Sequence, residues 1–273
     1  MSISTPDGPA FRDLVYGKAS ACWRDLPWRR TSDPYAILVS EVMLQQTQVK
    51  RVEPRFLSWM ERFPDVSGLA ATSTEELLAC WSGLGYNRRA LALHRACRII
   101  ATEFGAKVPA DEAALRSLPG IGVYTSRAIL AFAFDKPSVF LETNIRTVLL
   151  KHFFPGEERV PDRELERVAS AVVDLDSPRR WYTALMDYGA EIKREEGNHS
   201  ARGAGYRKQA PFATSFRRLR GAMVKSLVER KEIGIGELYA SLPFSRENIE
   251  KCARILASEG FASYDGDSLK ISR

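Results

Sequence analysis

The sequence predicts an all-α chain closed by a small helix-and-hairpin module, and three observations carry that reading. Apolar residues recur at spacings of three and four, as in Ile37, Val39, Val42, Met43 and Val49, or Leu91, Leu93, Ala96, Ile99 and Ile100. Short breakers divide these runs at Phe63-Pro64-Asp65, Ser82-Gly83-Leu84-Gly85, Pro119-Gly120-Ile121-Gly122 and Pro155-Gly156. Alternation long enough to argue a sheet is missing from residues 1–200, but Phe261–Ile271 alternates on both sides of Asp265-Gly266, a hairpin signal.

Taken in order, the helices are also signalled at their ends. Thr72-Ser73-Thr74-Glu75 and Pro109-Ala110-Asp111-Glu112 each place a capping side chain ahead of acidic first-turn residues. Near residue 195 the composition changes: Glu196–Gly205 is polar and glycine-rich, which suits a linker or an ordered basic loop. Beyond it the periodicity predicts helices over Ser215–Arg230, Ile235–Leu242 and Arg246–Glu259, followed by the hairpin. Three helices and a hairpin is the layout of a winged helix, with 245–259 in the recognition-helix position. The expected partition is a helical region over 1–195, a basic linker over 196–212 and a winged-helix-like domain over 213–273.

Composition narrows the function classes. The chain has 273 residues, 45% of them hydrophobic and 27% charged, as in ordinary globular proteins. No apolar run reaches the roughly 20 residues of a membrane helix, and the N-terminus lacks the pattern of a signal peptide, so a cytoplasmic location is expected. The four cysteines, Cys22, Cys80, Cys97 and Cys252, share no CxxC spacing. Neither a zinc knuckle nor an iron–sulfur loop is written there, and reduced thiols without a metal are expected. The net charge is +6, and Lys193–Lys231 alone holds eleven basic residues against three glutamates, a net of +8. Such a segment suits a surface that neutralises phosphates.

Leu118-Pro-Gly120-Ile-Gly122-Val-Tyr124-Thr125 reads as a tight turn between two helices. Its glycines allow close approach, and its backbone N–H groups together with the next helix start can hold a phosphate without reading sequence. Two carboxylates accompany it. Glu41 follows the apolar run Tyr35-Ala-Ile-Leu-Val39, a setting that favours burial and a raised pKa, and Glu142 lies 18 residues past Tyr124. Paired carboxylates of this kind can divide the cleavage of a glycosidic bond, one protonated as the acid and one ionised to stabilise a cationic sugar.

Together with Ser40-Glu41-Val-Met-Leu-Gln45-Gln46-Thr47-Gln48-Val49 and Trp81-Ser-Gly-Leu-Gly85-Tyr86-Asn-Arg88-Arg89, these motifs resemble the helix-hairpin-helix DNA glycosylase superfamily, most closely the MutY-type adenine glycosylases. The resemblance runs from about Leu26 to Ala190. It implies a two-lobed helical fold and a monofunctional glycosylase of base excision repair. Such an enzyme would act as a monomer on double-stranded DNA, on adenine opposite guanine or 8-oxoguanine. By that resemblance Glu41 is the acid, Glu142 takes the place of the catalytic aspartate, Asn144 supports it, and Tyr124 sits beside the sugar. Trp28, Arg29 and Thr183 belong to the base pocket, and Gln46 and Tyr86 wedge into the duplex. Gly120, Gly122, Thr125, Arg88, Arg89, Arg202, Arg207 and Lys208 are expected to meet phosphates.

Four departures stand beside the resemblance. Glu142 is one methylene longer than the family's aspartate, Lys193 stands where the first cluster cysteine is expected, and the winged-helix-like domain replaces the domain that reads 8-oxoguanine. Thr183 stands where adenine glycosylases commonly have Gln or Glu. Tyr124 cannot form the Schiff base that a lysine there makes in strand-cutting members, and mismatch thymine glycosylases share the tyrosine. A glycosylase for thymine or uracil opposite guanine, or for an alkylated purine, is therefore an alternative. A DNA-binding protein with a lapsed site is another, favoured by the Asp-to-Glu change. The cysteine spacing predicts that the purified protein is colourless; an iron assay and a visible spectrum check this, and stoichiometric iron would refute it.

Overall fold

The computed structural model describes residues 7–206 and 215–272. In chain order the helices are α1 (Gly8–Ala21), α2 (Pro34–Leu44), α3 (Val49–Arg62), α4 (Val66–Ala71), α5 (Thr74–Trp81), α6 (Arg88–Glu103), α7 (Glu112–Ser117), α8 (Val123–Phe134), α9 (Thr143–Phe153), α10 (Asp162–Val172), α11 (Pro178–Glu196), α12 (Phe216–Arg230), α13 (Ile235–Ser241) and α14 (Arg246–Ser258). Three short strands, β1 (Glu232–Gly234), β2 (Ala262–Tyr264) and β3 (Ser268–Ile271), complete the described chain. The helix starts use the caps written in the sequence: Ser73 accepts the Glu76 N–H at 3.2 Å, and Asp111 accepts the Ala114 N–H at 2.8 Å. No helix among the described residues is long and apolar enough to cross a membrane.

The chain forms two compact units that interleave along the sequence: 1–41 with 109–117 and 121–208, and 42–108 with 118–120 and 209–273. The units follow spatial packing, whereas the sequence partition ran linearly and set 213–273 apart. In the first unit Phe11 and Val15 of α1, Val148 and Leu149 of α9, Leu165 and Val168 of α10, and Trp181 and Leu185 of α11 share one core. Also buried on α11 is Asp187, a carboxylate that would be costly there without cations. Arg24 and Arg29 supply them, at 2.5 and 2.7 Å, and so fasten the segment between α1 and α2 to α11.

In the second unit Trp59 packs edge-on against Phe63 and Trp81, which joins α3 to α5. The C-terminal module belongs to this unit. Its strands form an antiparallel sheet in the order β1-β3-β2, with Ile233 opposite Leu269 and Tyr264 opposite Leu269 on the other side. The hairpin and the three helices lie where periodicity predicts them, within a residue or two. β1 was not predicted, because three residues are too few to show an alternation; it exists only because β3 offers it an edge.

Helices α9 and α11 approach so closely that only glycine fits at 189. A Cβ there would lie 2.3 Å from the Asn144 carbonyl oxygen. Gly189→Ala is expected to destabilise the fold by about 1–3 kcal/mol through overpacking, read as a lower urea midpoint at unchanged m-value.

Candidate active site

Glu41, on α2, has only 5% of its surface in contact with solvent. Removal from water lifts its carboxyl pKa to about 7. The Tyr124 hydroxyl, which donates to Glu41 Oε2 at 3.2 Å, opposes that rise, and the charge of Glu142 adds to it. Tyr124 lies in the first turn of α8, its ring edge-on to Phe140, which stacks on Tyr182 of α11. Burial and the two neighbouring carboxylates push the phenol well above its ordinary pKa, so it remains neutral and donates.

Glu142 is the N-cap of α9. Its carboxylate accepts the Asn144 N–H at 2.6 Å, which satisfies one of the orphan donors of the helix start. Burial raises its pKa above the usual carboxylate range, against the pull of the Asn144 and Thr143 N–H groups and of the Lys193 and Arg24 charges. Three groups predicted to act together, Glu41, Tyr124 and Glu142, are thus brought into mutual influence within one unit. Asn144 contributes through its backbone N–H and packs under Gly189. Trp28, in the short turn Pro27–Arg29, and Thr183, one helical turn before Asp187 on α11, are both buried.

At the hairpin, Gly120 has φ +81°, and a Cβ there would meet the Ala92 side chain at 2.8 Å; both facts require glycine. Gly122 is the extended N-cap of α8, with open space where a side chain would stand. Gln46 and Tyr86, on exposed loops of the second unit, both hold left-handed backbones, with φ 55° and 47°. Non-glycine residues at such angles carry strain that surrounding structure must sustain.

Several arginines are not where the sequence suggested. The Arg29 guanidinium donates to both oxygens of Asp187 and to the Arg24 carbonyl, so these donors are engaged within the protein rather than offered to a base. Arg89, expected at a phosphate, points inward onto backbone carbonyls and onto the Thr47 hydroxyl. Arg202 likewise donates to the carbonyls of Leu150, Phe154 and Glu157 near the end of α9. Buried carbonyls without partners cost more than a solvated guanidinium gains, which is why these cations turn in. The Thr125 side chain is buried, so only its backbone can face an anion. Arg88 is mostly exposed and pairs with Glu259 at 3.3 Å. Arg207 and Lys208 lie outside the described residues. Four cations of the basic stretch are also paired with acids outside it: Arg194 with the nearby Glu191, Arg230 with Glu237, and Arg220 and Lys231 with the sequence-distant Glu259 and Glu75. Sequence reading missed the role of Asp187; its signal was an acid among the apolar positions of α11, though its partners could not be read from spacing.

The pattern of the HhH-GPD superfamily of base excision DNA repair proteins matches residues 39–173. Residues 39–173 belong to this superfamily. The chain is 42% identical to an adenine DNA glycosylase of Mycolicibacterium smegmatis over 171 residues, which cover 62% of this chain and 58% of that protein. It is 35% identical to the mouse adenine DNA glycosylase over 198 residues, covering 68% of this chain and 38% of the relative. The chain thus spans about half the length of the curated relatives it matches. Among solved structures, a thermostable thymine-DNA glycosylase superposes with a TM-score of 0.60 at 25% identity, covering 71% of this chain and 94% of that one. An endonuclease III trapped on DNA superposes at 0.54 and 18% identity, a likeness of fold, with coverage of 77% and 92%.

The MutY-type resemblance implies a cysteine-held iron–sulfur cluster, and the cysteines here do not fit one. Cys97 and Cys252 are buried in α6 and α14, and no group of three or more potential ligands gathers among the described residues. The segment after α11 is instead tied down by Arg202 and by the backbone bridge of Val160 with Gly203.

The raised pKa of Glu41 carries a sign that can be checked. Between its unfolded value of 4.5 and its folded value of about 7, the folded protein keeps a proton that the unfolded chain releases. Stability contributed at low pH is therefore lost as pH rises through that window, by about 3 kcal/mol in total. Glu41→Gln removes the loss: its melting temperature is expected to match the parent at pH 4.5–5 and to exceed it by several degrees at pH 8.

Proposed function

We propose that this chain is a monofunctional DNA glycosylase that removes adenine paired with guanine or 8-oxoguanine. The observation that carries the proposal is the buried, half-protonated Glu41 hydrogen-bonded to Tyr124 under the influence of Glu142. A group of pKa near 7 at neutral pH is suited to give up a proton in the rate-limiting step. Glu41 would protonate the adenine ring as the bond from its nitrogen to the sugar C1′ breaks, so the bonding pair leaves with a neutral base. Glu142 would stabilise the cationic sugar until water adds at C1′ and releases its second proton. The Tyr124 phenol holds Glu41 and offers no amine for a Schiff base, so the strand is not cut through lysine chemistry.

Before that chemistry the base must leave the stack. Gln46 and Tyr86 would enter the duplex, while Gly120, Gly122 and Arg88 would hold the backbone by its phosphates. The enzyme would act as a monomer on double-stranded DNA in the cytoplasm, without a metal cofactor. The adenine preference rests on the relatives' names together with the SEVMLQQTQV motif. The thymine-DNA glycosylase likeness and the shared Tyr124 favour a second reading, thymine opposite guanine, and Thr183 would then face the base without the Gln or Glu expected for adenine.

A panel of duplexes with different mispairs, treated with hot alkali after incubation to reveal abasic sites, decides between them. Release of adenine is expected; release of thymine alone would replace the proposal. On the preferred duplex, Glu41→Gln and Glu142→Gln should each slow single-turnover release by at least about a hundredfold with DNA affinity kept. The parent rate should fall about tenfold per pH unit above 7, as Glu41 loses its proton.

A further inference from the structure

The arginine that sequence reading assigned to phosphates has a different task. The Arg89 guanidinium makes one of its forks with the chain around Gln46: Nη1 donates to the Gln45 carbonyl at 2.6 Å and to the Val42 and Met43 carbonyls at 2.8 and 2.9 Å. Nη2 donates to the Thr47 hydroxyl at 2.9 Å and, across to the second loop, to the Gly85 and Leu84 carbonyls at 3.0 and 3.3 Å. Nε reaches the Tyr86 carbonyl at 3.4 Å. Both residues flanking Gln46, and all of Leu84–Tyr86, are therefore bound to one rigid plane of donors.

We infer that Arg89 is a positioning residue that presets Gln46 and Tyr86 as a single two-pronged wedge for entry into a DNA duplex. The inference rests on the wedge role proposed above for those two residues. Three features of the protein support it. Gln46 and Tyr86 are exposed residues of the two loops that the guanidinium joins, and both are held at positive φ, where a free loop would relax. The two loops are 37 residues apart at their bonded positions, where the Thr47 hydroxyl also reaches the Leu84 carbonyl at 3.3 Å, and Arg51 bonds the Gly83 carbonyl. Arg89 keeps its charge at neutral pH, since burial brings its pKa down only to about 10. A preset wedge meets DNA with its ordering cost already met, so more of the binding energy can go into unstacking the target base. Lysine cannot replace it, because an ammonium lacks the planar fork that spans both loops.

The test uses the full chain and a duplex with 2-aminopurine, which brightens when it leaves the stack, at the target position opposite guanine. Wild-type protein is expected to raise its emission several-fold at saturation. Arg89→Lys is expected to abolish at least four-fifths of that rise, with duplex affinity within threefold and melting temperature within a few degrees. On an adenine–guanine duplex its base release should slow at least tenfold. Full emission with Arg89→Lys would overturn the inference, as would a loss of emission matched by an equal loss of affinity, which marks a general structural role. If Arg89→Lys does not fold, Thr47→Val, which removes one acceptor and keeps the charge, should lose a smaller part of the emission; no loss there overturns the inference. A wild-type chain that brightens 2-aminopurine but releases no base would refute the proposed activity and leave the wedge standing. One that releases base without brightening would refute the wedge.

Discussion

A carboxylic acid kept out of water is the constraint around which the first unit is arranged. Burying Glu41 costs free energy in its ionised form, and the fold tolerates this because the proton stays on near neutrality. The neighbours fit that state. Tyr124 supplies a neutral donor, Glu142 adds like charge to Glu41, and the charges of Lys193 and Arg24 act on Glu142. Arg24 and Arg29 both pair with the buried Asp187.

Arginine also does the architectural labour in places where backbone carbonyls are left over. Arg89 gathers the end of α2 and two loops; Arg202 gathers the end of α9 and the chain that follows α11. A guanidinium suits this because five N–H donors in one plane can serve several carbonyls at once, and removing it would strand them all. Arg202 thus cross-links the chain after α11 to the end of α9 with its own side chain.

Net charge behaves differently in the fold than along the chain. The stretch Lys193–Lys231 is strongly basic by count, yet Glu75, Glu191, Glu237 and Glu259, all outside it, pair with four of its cations. Exposed pairs of this sort add little stability, but they do reduce the field available to attract a polyanion. Any phosphate affinity is then concentrated in fewer positions than the composition suggests. The helix in the recognition position, α14, carries its own Arg254–Glu250 pair, and Arg217 on α12 donates to the Tyr86 hydroxyl.

The sequence by itself determined the helical class, the C-terminal three helices with their hairpin, and the trio Glu41, Tyr124 and Glu142. The helices and the hairpin are legible because they are local, since periodicity, caps and turn residues depend on neighbours in the chain. The trio, whose members stand 83 and 18 residues apart, was legible through the family resemblance of its motifs. The apolar run before Glu41 even foretold its burial and the direction of its pKa. Tertiary structure alone decided where the cations point. In a linear reading Arg29 is a base-pocket residue and Arg89 and Arg202 are phosphate contacts, and their acceptors lie on segments that only folding brings near. It decided β1 as well, because a three-residue strand has no periodicity of its own and is defined by the edge it pairs with. It also decided that Gly189 must be glycine, since the carbonyl that excludes a side chain there belongs to Asn144, 45 residues earlier. Non-local partners set the free energy of a charged or strained group, and no spacing in the sequence records them.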